Sequence, residues 1–380
     1  MDSNRISKID LNQVPTPCYL VDEEALKRNL HTLKTVQDVS GGKILLALKA
    51  FAMHALFPLI REYLYGVCAS SPYEARLGKE EFGKMVHTYG PAYSPSDIDQ
   101  LIETSDYLIF NSESQWKRYK EIIPSSIRCG YRINPGYSEI EIDLYDPCSS
   151  HSRLGIPFKN FPEDLSGITG LHFHALCEQN ADTLQRILEV VEEKYGKVLS
   201  RVDWINMGGG HHITRSDYDV DLLIELIRQL RSVYSLEVFL EPGEAIALDT
   251  GVLIASVLDI VDCGIKIAIL DTSAEAHMPD VLAMPYRPVV IGAGESGQYA
   301  YTYRLAGMTC LAGDVIGDYS FRKPLEIGDK LIFTDMAHYT MVKNNMFNGI
   351  KLPSLVLYTS DHRIQIIKRF SYEDYKSRLS

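Results

Sequence analysis

A lysine closes an apolar run near the start of the chain, "ILLALK" at 44–49. Further on, Gly208, Gly209 and Gly210 stand together in "MGGGHH", and Glu241 follows the run "LEVFL" in "EPGE". His172 and His174 share the stretch "HFHALCE". An unpaired ammonium is costly to bury, so Lys49 either snorkels from a frayed strand end or is kept as a reactive amine. Glycines lack Cβ atoms, so their backbone N–H groups can converge on an anion such as a phosphate. Their other use is a tight turn with no ligand. The two histidines have no third ligand at an obvious metal spacing, so a packing or ring-stacking use fits better than a metal. His211 and His212 are adjacent and point apart on an extended backbone.

The surrounding elements decide whether these residues meet. Eight short β-forming runs fall at 44–49, 65–70, 85–92, 107–112, 127–134, 168–175, 202–209 and 236–243. Segments with helical spacing separate most of them, most clearly 181–199 and 221–234. Strands alternating with helices imply a parallel sheet, and about eight such units in some 200 residues fit a closed (β/α)8 TIM barrel. An open doubly wound sheet is the alternative, but no GxGxxG follows the first strand. In such barrels chemistry collects at the C-terminal strand ends. There the runs deliver Lys49, then Arg132 and Asn134, then His172, His174, Cys177 and Glu178. The last two runs deliver the glycines with His211 and His212, then Glu241 and Glu244. A loop-like stretch at 137–166 interrupts the rhythm and reads as functional.

After residue 244 the pattern becomes strands and turns, at 251–261, 264–271, 287–294, 329–336 and 354–370. "TPCYLVD" (16–22) has the same character. The expected division is a barrel at 23–243 and a discontinuous, mostly β domain at 1–22 and 244–380. The 380 residues are 46% hydrophobic and carry a net charge of −12, which argues against a nucleic-acid partner. The seven cysteines form no CxxC pair, which suggests neither a disulfide framework nor a zinc site. No signal-peptide core or bilayer-length apolar stretch is evident. A cytoplasmic protein without a membrane partner is the expectation.

A barrel-mouth lysine facing a bound phosphate suits pyridoxal 5′-phosphate, which needs an amine, a phosphate cradle and a partner for its ring nitrogen. Glu241 would serve as that partner. These residues resemble those of the fold-type III pyridoxal-phosphate decarboxylases, which include the ornithine/arginine and diaminopimelate enzymes and share a barrel with alanine racemase. The resemblance covers nearly the whole chain. It implies Lys49 as the Schiff-base lysine, His174 as the ring-stacking residue, Gly208–Gly210 on the phosphate and Glu241 on the pyridinium. Arg132 joins the cofactor set. "GMTCLAGD" (307–314) resembles the loop supplied by a second subunit, with Cys310 as a proton donor and Asp314 on substrate. "AHYTMVKNNMFNG" (337–349) resembles the closing motif, with Tyr339 on the phosphate. A homodimer with shared active sites is therefore implied.

Within the family, "PTPCYLVDEEALKRNL", "LALKAFA", "EPGEA" and "SAEAHMPDVLAMPYRP" are most similar to the branch that decarboxylates carboxynorspermidine and carboxyspermidine in polyamine biosynthesis. Glu244 departs from the arginine of the ornithine and diaminopimelate branches, and "GVCAS" lacks the acidic residue of the ornithine enzymes. A long triamine substrate needs acidic or carbonyl partners for its far ammonium groups, with His277, Asp280 and Asp314 as candidates beside Glu241. A racemase on the same scaffold would need a second base, and Cys310 stands in its place. A cofactor-carrier protein would be a barrel alone, and a class I aldolase would need no "EPG" carboxylate.

Overall fold

The structure is a computed structural model that describes every residue except Met1, Asp2, Ser7 and Pro285. Pro285, in the 273–288 motif, therefore lies outside the described residues. The chain divides into two compact units, Asn29–Ile246 and the paired segments Met1–Arg28 with Ala247–Ser380.

In the first unit eight parallel strands close on themselves: β1 (Lys43–Ala47), β2 (Gly66–Ala69), β3 (Met85–Tyr89), β4 (Tyr107–Phe110), β5 (Arg128–Asn134), β6 (Ile168–His172), β7 (Trp204–Asn206) and β8 (Glu237–Leu240). Pairing of β8 with β1 and of β4 with β5 completes the ring, so the sheet is a barrel rather than an open sheet. The strands are largely apolar because helices cover them outside and side chains fill them inside. Trp204 lies in the interior with Leu45, Tyr107 and Phe239. Gly130 and Gly170 make room for it, since a Cβ at either would stand 2.4 or 2.0 Å from the indole. Helices start where the sequence offers a cap. The side chains of Asn180 and Asp219 accept amide N–H groups at the starts of Ala181–Leu199 and Val220–Tyr234.

All eight expected barrel strands exist, each shorter than its apolar run. Many of the extra residues lie in the C-terminal turns, where Lys49 sits exposed two residues past β1 and His174 lies two residues past β6.

The second unit is built on a sheet. Strand Cys18–Asp22 runs parallel to Ser354–Tyr358 and antiparallel to Gly251–Asp262. The long strand Gly251–Asp262 also pairs with Lys330–Thr334 and Lys266–Leu270. Lys266–Leu270 pairs with Tyr301–Ala306, and that strand with Val315–Phe321. Cys18, Leu20, Val252, Ile254, Ile332 and Val356 form its core. The expected strand at 287–294 is a correction: only isolated bridges form there, at Val290 and Gly294. Its Pro and Gly residues interrupt any ladder. Strands 301–306 and 315–321, rich in Tyr and polar residues, escaped the apolar criterion.

Candidate active site

The C-terminal mouth of the barrel is assembled from the turns that follow each strand. The "LALK" run spends its apolar residues inside β1, and Lys49 emerges exposed, so the amine is reachable. The turn is held by the Ala50 and Phe51 N–H groups, which donate to Ala47 O at 3.0 and 3.2 Å. Glu74 is the nearby counter-charge. Burial raises its carboxyl, while a bond from the Ser70 N–H and the charge of Lys49 oppose that rise.

Glu241 is only 8% exposed, yet it is built to stay charged. Asn206 Nδ2 donates to its Oε1 at 2.7 Å, and His172 Nε2 donates to its Oε2 at 3.3 Å. Burial alone would raise this carboxyl, but His172, His87 and the Asn206 amide outweigh it and hold it at about 2. Burial keeps His87 at about 3 and lowers His172 as well, so both rings are neutral near pH 7. The Asn206 amide has one orientation available. Its Oδ1 accepts the Gly208 N–H at 2.9 Å, which turns Nδ2 toward Glu241 and toward His87 Nδ1 at 3.2 Å. Tyr89 stacks on His172 with centroids 5.4 Å apart, and the guanidinium of buried Arg132 lies over Tyr89 at 4.5 Å.

The triple glycine wraps tightly. Gly208 and Gly210 have φ of +69° and +83°, and a Cβ on Gly210 would meet Leu176 O at 2.0 Å. Two of the three N–H groups expected to face a phosphate are committed within the protein. Gly208 donates to Asn206, and Gly209 donates to His174 Nδ1 at 3.1 Å. This corrects the picture of three convergent donors, because the glycines also brace Asn206 and His174. The amide of Gly210 has no hydrogen-bond partner among the described residues. Burial lowers His174 well below the ordinary imidazole range, with Lys49 and Arg132 adding to it. A neutral ring accepting at Nδ1 agrees with that direction.

The remaining candidates belong to the second unit. Cys310 is exposed, its N–H donating to Asn348 Oδ1 at 2.6 Å. Tyr339 is half-buried at φ +46° before the short helix Thr340–Lys343. Asp314 differs from expectation. It is 3% exposed and accepts from Ser273 Oγ, Thr309 Oγ1 and the N–H groups of Ala274, Glu275 and Thr309. Five donors leave it a structural brace rather than a partner for a substrate ammonium. His277 is fully buried, shares a hydrogen bond with Thr272 Oγ1 at 3.1 Å, and is lowered by burial to about 4. It too is removed from direct substrate contact. Asp280 is ion-paired with Lys343.

Sequence reasoning missed Asn206, His87 and Tyr89. The signal was present: Asn206 shares strand parity with inward-facing Trp204, and His87 and Tyr89 share a face of β3.

The donor set fits pyridoxal phosphate. There is a reachable amine, a buried carboxylate held anionic, a buried guanidinium and an unspent glycine amide beside positive-φ turns.

A family model described as the C-terminal sheet domain of pyridoxal-dependent decarboxylase matches residues 18–337. A carboxynorspermidine/carboxyspermidine decarboxylase from Campylobacter jejuni is 44% identical, covering 96% of this chain and 99% of its own. A carboxyaminopropylagmatine decarboxylase from Synechocystis is 43% identical, covering 97% and 96%. The crystal structure of a Campylobacter jejuni carboxynorspermidine decarboxylase complexed with norspermidine superposes with a TM-score of 0.90. That comparison covers 96% of this chain and 100% of the other at 44% identity. A Helicobacter pylori diaminopimelate decarboxylase structure, at 19% identity and a TM-score of 0.81, shares the fold.

Proposed function

Because the chain belongs to the pyridoxal-dependent decarboxylase family, we propose that it removes CO2 from a carboxylated polyamine, carboxynorspermidine or carboxyspermidine, in polyamine biosynthesis. The observation that carries the chemistry is the anionic Glu241, held by Asn206 and His172 at the same barrel mouth as Lys49. The substrate class rests on the relatives named above.

Pyridoxal phosphate, when bound, supplies an electron sink for the pair left behind as the carbon–carboxylate bond breaks. Lys49 is the amine that would hold it, and its exposed position would leave that amine open to exchange with the substrate's own. Glu241 would keep the ring nitrogen protonated, and its depressed pKa means that it would do so as a carboxylate. His174 would pack against the cofactor ring, its own plane set by the Gly209 N–H. The Gly210 amide and Arg132 would supply a donor and charge to the cofactor, and Tyr339 is the second-unit candidate for its phosphate. Cys310 of a second copy is the candidate for returning a proton to carbon, which makes the working unit a homodimer with shared sites. Asp280 is the remaining second-unit candidate for a substrate ammonium. No helix among the described residues is long and apolar enough to cross a membrane, and action in the cytoplasm is part of the same reading.

The test is direct. Purified protein should show the visible absorbance of bound cofactor, and Lys49→Ala should remove it. CO2 release should then be compared across carboxyspermidine, carboxynorspermidine, carboxyaminopropylagmatine, diaminopimelate and ornithine. Turnover confined to diaminopimelate or ornithine would sink the reading.

A further inference from the structure

Residues 307–314 join strands Tyr301–Ala306 and Val315–Phe321 and carry the exposed Cys310. The base of this loop is closed. The Gly307 N–H donates to Asp314 O at 2.9 Å, and the Thr309 N–H and hydroxyl both donate to Asp314 Oδ2. The Leu311 N–H turns back to Thr309 Oγ1 at 3.4 Å. The Cys310 N–H instead leaves the loop and donates to Asn348 Oδ1 at 2.6 Å.

Asn348 sits on a turn built to receive it. It lies in the left-handed region at φ +55°, which asparagine tolerates better than most residues, and Gly349 follows at +75°. The turn is fixed on the short helix Ala274–His277. The Asn345 N–H donates to Ala276 O at 2.8 Å, Asn345 Nδ2 donates to Glu275 O at 3.1 Å, and Asn345 Oδ1 accepts the Phe347 N–H at 2.8 Å. The N–H groups of Ala274 and Glu275 in turn donate to Asp314 Oδ1. The bonds close a circuit, from Asp314 to the short helix, to Asn345, to Asn348, to Cys310 and back along the loop to Asp314. Without Asn348 the tip at 310–313 is held only from within its own loop. Met308, Leu311 and Phe347, on the two segments that the bond joins, expose apolar side chains, the kind of surface a second copy covers.

Return of a proton to carbon needs its donor within about 2.6–3.2 Å, and a misplacement of about 1 Å can cost about a hundredfold in rate. We propose that Asn348 is a positioning residue for that step: it fixes the backbone of Cys310 and so aims the thiol. The proposal rests on the reading of Cys310 as the donor and deepens it. The S–H proton passes to the carbon left with the electron pair as CO2 departs, and the thiolate regains a proton from water.

Asn348→Gly removes the acceptor yet suits the left-handed backbone, so folding is not at stake. Asn348→Asp keeps an acceptor oxygen at the same reach. Hydrogen exchange of the purified protein, read by mass spectrometry on a peptide spanning 308–313, should run about fivefold faster in Asn348→Gly and near the wild-type rate in Asn348→Asp. For the carboxylated triamine, kcat should fall about tenfold in Asn348→Gly with KM within about twofold, and Asn348→Asp should recover it. Adding Asn348→Gly to Cys310→Ala should cost nothing further, because residues that act as a unit are not additive. Unchanged exchange in Asn348→Gly overturns the tie. Faster exchange with unaltered kcat, or a full tenfold loss in the Cys310→Ala background, overturns the positioning role. Wild-type turnover in Cys310→Ala refutes the donor assignment, and the proposal falls with it. Wild-type protein that releases no CO2 from any carboxylated triamine refutes the functional reading instead, while exchange still decides the tie.

Discussion

Replacing Asn206 by alanine tests how the buried carboxylate is held. The side chain is fully buried and makes three hydrogen bonds, to Glu241 Oε1, to His87 Nδ1 and from the Gly208 N–H. A bond to a charged group contributes about 1.5–3 kcal/mol, and the stranded Gly208 donor costs a further ~1–3 kcal/mol. The expected destabilisation is therefore about 3–5 kcal/mol, the range diagnostic of a broken buried polar network. The assay is urea unfolding with cofactor removed, so that ligand linkage does not enter, reading the midpoint shift at constant m. A double-mutant cycle with Glu241→Gln isolates the charged bond. In that background the Asn206→Ala cost should fall by about 1 kcal/mol, since neutral hydrogen bonds contribute about half as much. A loss below about 1 kcal/mol, or no coupling beyond the ~0.3–0.5 kcal/mol expected of independent sites, would refute the claim that Asn206 holds Glu241.

Gly210→Ala puts a Cβ 2.0 Å from Leu176 O at φ +83°. It should cost about 2 kcal/mol or more in urea unfolding and weaken pyridoxal phosphate binding in a fluorescence titration. Glu237→Gln acts at the opposite end of the barrel, where the carboxylate meets Lys43, Arg128 and the Tyr107 hydroxyl. The group is part-exposed, so the loss should be about 1 kcal/mol with the cofactor's visible absorbance unchanged. Burial lowers His87 to about 3 and His211 and His277 to about 4, all from 6.5. The unfolded chain therefore binds protons first as pH falls. The stability these neutral rings confer is whole above pH 6.5 and drains toward pH 4, by up to about 1.4 kcal/mol per unit for each ring. A flat urea midpoint between pH 6.5 and 4.5 would count against this.

The barrel was legible because its strands are buried on both faces and so appear as uninterrupted apolar runs, "ILLALK" and "LEVFL" among them. Helices 181–199 and 221–234 showed themselves through their periodicity. Strands 301–306 and 315–321 did not, because "YTYRLA" and "VIGDYSF" mix polar and aromatic residues on a sheet with exposed positions. Lys49, the glycines and Glu241 stood out by residue type at strand ends. Asn206 was hidden within a strand whose meaning depends on what lies across the barrel. Asp314 and His277 mislead for the same reason: an isolated acid or imidazole reads as available until the donors around it are counted. Those donors come from residues 272–275 and 309, separated in sequence and joined only by the fold.

The strand Cys18–Asp22 carries a consequence for how the protein is made. It comes first in sequence among the described strands, yet it sits between Gly251–Asp262 and Ser354–Tyr358. Its neighbours leave the ribosome long afterwards, Ser354–Tyr358 well after Gly251–Asp262. During synthesis the barrel's parallel strands can pair with close sequence neighbours while this apolar segment waits with both edges open. A slow step that awaits the C-terminal region, and a hazard of edge-to-edge pairing between nascent chains, follow from that order. Truncation before residue 354 should leave the first strand short of one partner. Loss of residues 354–380 is then expected to harm yield without removing any residue at the barrel mouth.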